Sequence, residues 1–157
     1  MIRQNPPLVT PGSIIRCFSE EDAGQLVADW LAVFGKNRHG TNTKAYLWHL
    51  FSGAGYPCVS GPEAVEEYQK QSGMEFIVLS NDRKVAFVTD LLPESSSLSD
   101  FYVFPPNLAW TMAFTHEDGW LGPYFALHRN FVELNAANQS KLRKAREAEA
   151  ARQKGWS

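Results

Sequence analysis

Two features are scarce or missing in this sequence of 157 residues: long apolar runs and cysteine motifs. No run reaches the roughly 18 apolar residues of a membrane-spanning helix, so we expect no membrane span. The opening residues, MIRQNPPLVTPG, lack the apolar centre of a signal peptide, and a cytoplasmic location is therefore expected. Cys17 and Cys58 have no metal-binding spacing, and we expect buried thiols rather than a disulfide bond.

Short motifs of catalysis and cofactor binding are also missing. The sequence contains no His-x-His, His-Glu-x-x-His or nucleophile-elbow pattern. The glycine-rich segment 53–55 has no GxGxxG loop or Walker lysine beside it, and a turn explains its glycines better than a phosphate site does. We therefore expect no cofactor and no bound metal. Whether the protein is an enzyme is left uncertain, with a non-enzymatic protein favoured.

What the sequence does contain is typical of a folded domain. Apolar residues make up 44% of the chain and aromatic residues 13%, enough for a sizeable core. Runs of strand-like sequence with few helices between them favour the α+β class. We predict one domain at residues 1–130, with a mostly antiparallel sheet of five or six strands and two packed helices. A basic, alanine-rich helical tail follows at residues 131–157, of which only the first turns should pack.

Two helices can be placed from their ends and their apolar spacing. Residues 20–34 follow the N-cap candidate Ser19, begin with three carboxylates and repeat apolar residues on one helical face. Residues 62–72 begin with Pro62, which is tolerated at the first helical position, and stop before Gly73. Both segments are therefore predicted to pack on the sheet.

The strand candidates are short segments rich in β-branched and aromatic residues, bounded by turn-forming residues. They are residues 14–18, 45–52, 75–79, 84–89, 101–104, 110–115 and 124–127. Segment 45–52, AYLWHLFS, is apolar on both faces, which is typical of a strand buried on both sides. The polar residues 80–83 predict a hairpin loop, and residues 93–99 are expected to form a loop or a helical turn.

The chain is organised around residues 107–128, which hold two tryptophans, two histidines and a Thr-His-Glu-Asp cluster. Trp110, Met112 and Phe114 alternate with smaller residues, as in a strand, and turn-forming residues then precede a second extended run. The pattern predicts a strand, a polar loop and another strand. His116 continues the apolar face, so a hydrogen-bonded core histidine is the structural alternative to a functional one.

The net charge of −2 hides an uneven distribution of charge along the chain. Residues 61–120 carry ten acidic and three basic side chains, whereas residues 121–157 carry seven basic and three acidic ones. An acidic central region does not suit nucleic acid, whose phosphates dominate binding. It suits a basic protein partner through electrostatic steering, and a solvated acidic surface explains the charge equally well.

Two aromatic-rich blocks carry a resemblance to a known family. The residues are Trp48-His49-Leu50-Phe51-Ser52, Trp110-Thr111, Thr115-His116-Glu117 and Gly122-Pro123-Tyr124-Phe125. On these residues the chain resembles the bacterial family designated domain of unknown function 4275, over about residues 45–128. The loop at residues 53–61 differs from the charged segment that the family has there. The resemblance implies that this is a small bacterial protein with the fold of that family. No activity is assigned to the family.

The favoured hypothesis is a protein that binds another protein. In its concrete form, it is an immunity protein that neutralises a bacterial toxin by occluding the toxin's active site. Small size, an acidic centre and the lack of an assembled catalytic motif motivate it. The residues predicted to contact the partner, a basic toxin in this hypothesis, are Glu63, Glu66, Glu67, Asp118, Trp120 and Tyr56. Neither nucleic acid nor a membrane is expected as a partner.

The alternative is a small enzyme or ligand-binding domain with a pocket around His116. Histidine and carboxylate side chains are the types used for acid–base chemistry near neutral pH. The residues of this alternative are His116, Glu117, His49 and Tyr124. Because adjacent strand residues point to opposite faces, His116 and Glu117 converge only if the loop has already begun.

Overall fold

The computed structural model describes residues 9–35, 46–116 and 122–155. In chain order the elements are β1 (Val9–Thr10), β2 (Ile14–Cys17), α1 (Glu20–Phe34), α2 (His49–Ser52), β3 (Val59–Ser60), α3 (Pro62–Gln69), β4 (Phe76–Ser80), β5 (Ala86–Thr89), β6 (Ser95–Ser96), β7 (Phe101–Phe104), β8 (Trp110–Phe114), β9 (Tyr124–Leu127) and α4 (Phe131–Gly155). The class is α+β, as predicted. Within these ranges no helix combines the length and the apolarity needed to cross a membrane.

The main sheet has seven strands in the order β2-β5-β4-β7-β8-β9-β3, and every neighbouring pair is antiparallel. The antiparallel arrangement confirms the prediction, but five or six strands was too few. The additional strand, β3, has only two residues, and a pattern of period two cannot be recognised over that length. For the same reason, β6 was not foreseen within residues 93–99; it pairs with β1 in a second, two-stranded sheet.

Both faces of the main sheet are covered. Alternate residues of a strand point to opposite faces, so Ile77 and Leu79 pack against α1 and α2, whereas Phe76 and Val78 pack on the side of α3 and the first turns of α4. The central strands are consequently buried along their whole length. This three-layer arrangement leaves the strand ends and the sheet edges as the places where functional side chains reach solvent.

Helix α1 has the bounds that its sequence predicts. The Ser19 hydroxyl oxygen accepts a hydrogen bond of 3.1 Å from the Asp22 backbone N–H and caps the first turn. The Gly35 N–H donates to the Leu31 carbonyl at 2.8 Å and ends the helix. The side chains that α1 buries are Ala23, Val27, Trp30 and Phe34. Helix α3 also begins where expected but ends at Gln69, before the predicted residue 72.

The prediction of a strand at residues 45–52 is wrong. Residues 49–52 form the short helix α2, and the backbone N–H groups before it are satisfied by side chains instead of a neighbouring strand. The Trp48 N–H donates to the Tyr102 hydroxyl at 3.0 Å, and the Leu47 N–H donates to the Asn81 side-chain oxygen at 3.1 Å. A short apolar run is buried in either conformation, so periodicity alone does not separate the two.

The two cysteines are free, and they differ from the predicted buried thiols. Cys17 is exposed because β2 lies at one edge of the main sheet and has its pairing partner, β5, on a single side within the described residues. Cys58 is half-buried beside β3, at the opposite edge. Burial raises the pKa of the Cys58 thiol.

Helix α4 packs against the sheet through its first turns. Phe131 and Leu134 pack against the core, and the Asn107 side-chain amide donates to the Leu134 carbonyl at 3.1 Å. Further along, the Gln139 amide donates to the Ser72 carbonyl at 3.1 Å. Residues 146–155 are exposed along the rest of the helix. None of the side chains of α4 is fully buried, in keeping with its lack of an apolar stripe.

Candidate functional site

A polar cleft of about 510 Å³ lies at one end of the main sheet. The pairing of β7 with β8 sets Phe101 opposite Phe114, so the residues just outside that pair, Asp100 and His116, come close together. The hairpin loop between β4 and β5 forms the opposite wall of the cleft. Its lining side chains are Tyr46, Ser80, Asn81, Asp82, Leu98, Ser99, Asp100 and His116.

The carboxylate of Asp100 holds the neighbouring side chains of this cleft in place. Its side chain is only 4% exposed. One carboxylate oxygen contacts the His116 backbone N–H at 3.0 Å and the ring Nδ1 at 2.7 Å, and the other accepts from the Trp48 indole nitrogen at 2.7 Å. A buried carboxylate requires such partners because desolvation penalises its charge. Asp100 cannot be recognised as a site residue from the sequence, since nothing in its neighbourhood distinguishes it from any acidic residue before a strand.

His116 lies at the mouth of the cleft with 41% of its side chain exposed. Of the structural alternative, a hydrogen-bonded core histidine, the hydrogen bonds are present but the burial is not, because β8 ends at Phe114 and strand alternation no longer sets the direction of residue 116. The bond from Nδ1 to Asp100 fixes the ring and turns its other nitrogen, Nε2, away from that carboxylate. The Tyr46 ring lies 5.4 Å from the His116 ring and forms a second wall.

Two other residues of the predicted His116 pocket, His49 and Tyr124, are not among the residues that line this cleft. His49 packs edge-on against Trp48, with 4.7 Å between ring centroids, and Tyr124 is buried and stacks on Trp48 at 6.1 Å. Glu117 lies outside the described residues. Across the described ranges, no group of three or more His, Cys, Asp or Glu side chains is placed to hold a metal ion.

A hydrogen-bond network holds the cleft against α2. The Asn81 side-chain oxygen accepts from the Tyr102 hydroxyl at 2.6 Å, and the same hydroxyl accepts from the Trp48 N–H. Burial raises the pKa of Tyr102 and keeps this phenol protonated. In the hairpin loop, the Ser80 hydroxyl bonded to Asp82 lowers the pKa of that carboxyl.

A second concave surface, which we call the edge groove, runs along β3 at the opposite side of the sheet from β2. It encloses about 360 Å³ between Tyr56, Pro57, Cys58, Val59, Glu63, Glu67, Phe125, Ala126 and Leu127. Three of the residues predicted to contact a partner, Tyr56, Glu63 and Glu67, meet in this groove. Glu66 is exposed on the same helix, α3. The remaining two predicted residues, Asp118 and Trp120, lie outside the described residues.

Each wall of the edge groove has its own chemistry. On one side, the Tyr56 hydroxyl donates to the Leu127 carbonyl at 2.6 Å. Burial raises the pKa of Tyr56, and the positive charge of Arg129 partly opposes this rise. On the other side, Glu67 pairs with Lys70 at 3.0 Å, and that bond raises the lysine pKa. The groove therefore combines an apolar floor with an acidic rim.

Residues 20–125 match the family model described as a domain of unknown function, DUF4275. The chain belongs to the DUF4275 family. The match confirms the resemblance, which was placed at about residues 45–128, as far as residue 125, and extends it towards the N-terminus to the start of α1. No curated protein and no solved structure matches the chain.

The DUF4275 match includes the polar cleft and the acidic residues of α3, whereas α4 lies wholly outside it. The description of DUF4275 states no activity. The residues of the cleft and of the edge groove are therefore the basis on which a function can be argued.

Proposed function

We propose that this protein binds a basic protein partner through the edge groove, and that the partner is a bacterial toxin whose active site it occludes. The meeting of Tyr56, Glu63 and Glu67 in one groove carries the proposal. Tyr56 comes from the loop before β3, whereas the two glutamates come from α3, so the fold gathers residues of both kinds at one edge.

The make-up of the groove resembles the centre and rim of a protein interface. Phe125, Ala126 and Leu127 supply an apolar floor, and 43% of Leu127 is exposed. The Tyr56 ring is already held in place by its bond to the Leu127 carbonyl, so binding would cost it little side-chain freedom. Apolar area at the centre and charge at the rim are the usual division in specific interfaces.

The charge of the rim favours a basic partner. Glu63 and Glu66 are exposed and belong to none of the ion pairs between described residues, although the charge of Glu66 acts on Lys70. A cationic side chain of a partner could therefore approach both glutamates from solvent. Complementary charge speeds association more than it strengthens the complex. A toxin that cleaves nucleic acid needs a basic surface to hold phosphates, and an acidic groove would compete for that surface.

Affinity capture from the native host, followed by co-expression, tests this proposal. Tagged full-length protein is used as bait at low and at moderate salt, and the captured protein is identified by mass spectrometry. We expect one stoichiometric partner that stops growth when expressed alone, and we expect the wild-type protein to restore growth. The triple variant Glu63→Lys, Glu66→Lys, Glu67→Lys should not restore it.

A matched control separates the groove from general charge effects. The variant Glu133→Lys, Glu147→Lys, Glu149→Lys makes the same change in net charge on exposed positions of α4. It should restore growth as the wild type does. If both triple variants fail equally, or if the captured protein does not affect growth, the proposed function is wrong.

One observation favours a second function, a ligand-binding or catalytic cleft at His116. A buried carboxylate that orients an exposed histidine is the arrangement used to position a general base. Mass spectrometry of the purified protein tests this function directly. A metabolite or metal that co-purifies with the wild type, is lost in His116→Ala and is retained in the groove variant would support the cleft over the groove.

A further inference from the structure

We infer that the cavity between α4 and the sheet binds a small amphipathic anion, a molecule with an apolar body and one carboxylate or similar head group. This cavity, the tail cavity, encloses about 610 Å³, a size typical of small-molecule sites. The side chains that matter for its chemistry are Met74, Glu75, Pro105, Pro106, Lys141 and Lys144. Of the described residues that line it, none also lines the edge groove or the polar cleft.

The floor of the tail cavity suits an apolar body. Met74 is 46% exposed at its base, and the turn after β7 adds two consecutive prolines, Pro105 and Pro106. The thioether side chain of Met74 is flexible and polarisable, so it adapts to ligands of different shape. Burial of Met74 by a ligand would therefore contribute to binding.

The wall formed by α4 is fixed in place. The Asn138 amide donates to the Asn107 side-chain oxygen at 3.1 Å, and the Asn107 amide donates in turn to the Leu134 carbonyl. Ser72 and Gln139 exchange a second pair of bonds, at 3.0 and 3.1 Å. These bonds hold the helix next to the cavity before any ligand arrives, which reduces the ordering cost of binding.

The charge of the cavity selects an anion. Lys141 and Lys144 are three residues apart, so both side chains lie on the side of α4 that lines the cavity. Among the described lining residues the one carboxylate is that of Glu75, and the Arg16 guanidinium engages it at 3.1 and 3.3 Å. The two lysines therefore supply the net charge that a ligand meets, and an anionic head group fits it where a cationic one does not.

A fluorescence titration with 8-anilinonaphthalene-1-sulfonate, an anionic aromatic probe, tests this site on the full-length protein. We expect saturable binding of one probe, displaced by decanoate but not by decyltrimethylammonium. The variant Lys141→Glu, Lys144→Glu should weaken binding by at least about tenfold, as expected for the loss of two charge-assisted contacts. The matched variant Arg143→Glu, Arg146→Glu, on the same helix, should change it by less than about twofold.

Methyl-labelled methionine provides an independent readout of where the ligand binds. The NMR signal of the exposed Met74 should shift on addition of decanoate, whereas that of Met112, which is 0% exposed, should not. Equal weakening by the lysine and arginine variants would show non-specific attraction and overturn the inference. A shift of Met112 without Met74, or no binding of the probe to the wild type, would overturn it as well.

Discussion

The indole nitrogen of Trp48 donates a hydrogen bond of 2.7 Å to the carboxylate of Asp100, although the two residues lie 52 positions apart in the chain. Both are buried, at 1% and 5% exposure. The bond joins the segment before α2 to the residue that precedes β7, and the same carboxylate contacts His116. One side chain thereby links three segments and shapes the polar cleft.

Replacement of Asp100 should destabilise the protein strongly. Asp100→Ala leaves the indole N–H of Trp48 and the backbone N–H of His116 without their acceptor, and we expect a loss of about 3 kcal/mol in the free energy of unfolding. Asp100→Asn keeps one oxygen acceptor and should cost about half as much. Urea unfolding measures both. Asp29→Ala, at an exposed position, is the control; an equal effect of the two alanine variants would contradict the role of Asp100.

Trp30 and Thr111 should show energetic coupling. The Trp30 indole nitrogen donates to the Thr111 hydroxyl at 2.9 Å across the interface of α1 and the sheet, and both residues are 0% exposed. Thr111→Val leaves the indole donor unsatisfied and should cost about 1–3 kcal/mol. With Trp30→Phe in place, the same valine change should cost measurably less, in a double-mutant cycle by denaturant unfolding. Additive effects would argue against the bond.

The two cysteines should differ in their rate of alkylation. The thiolate is the reactive form, and burial raises the pKa of Cys58, whereas Cys17 is exposed on the edge strand β2. Iodoacetamide near neutral pH should therefore modify Cys17 well before Cys58, as followed by peptide mass spectrometry. Cys17→Ser should leave only the slow phase. Similar rates at the two positions in the folded protein would contradict the structure at the edge groove.

Asp82 should contribute to stability in a pH-dependent way. The Ser80 hydroxyl and the Lys84 backbone N–H favour the ionised form, so the pKa of Asp82 in the folded protein lies below its ordinary 3.8. A carboxyl with a lowered pKa in the folded protein stabilises the fold at pH values above 3.8. This contribution is lost as the pH falls through the pKa that Asp82 has in the folded protein. The stability difference between wild type and Asp82→Asn should thus be present near neutral pH and shrink in acid. A stability difference that grows in acid would contradict the lowered pKa of Asp82.

Much of the fold could be predicted because it depends on neighbours in the sequence. Helix α1 carries its cap, its charges and its apolar face within a short stretch, and β8 shows its alternation within five residues. The edge strand β3 and the helix α2 could not be predicted in this way. The first has two residues, and the second owes its conformation to bonds with Tyr102 and Asn81, far along the chain.

The candidate sites, like the fold, could be predicted from the sequence only in part. His116 was recognisable as a residue type, but its partner Asp100 is selected by the register of β7 and β8, which the sequence does not show. Glu63 and Glu67 were chosen for their charge alone. Their position beside Tyr56 depends on how β3 pairs with β9, which brings α3 next to that edge.

Binding of a basic protein partner at the edge groove is tested most directly by the dissociation constant for the captured partner. It is measured by calorimetry with purified proteins at low and at moderate salt. The α3 variant, with lysine at positions 63, 66 and 67, should bind at least about tenfold more weakly at low salt, and the difference should narrow at higher salt. His116→Ala and the α4 control should bind as the wild type does. Unchanged affinity in the α3 variant, together with loss of binding in His116→Ala, would contradict the claim and place recognition at the polar cleft.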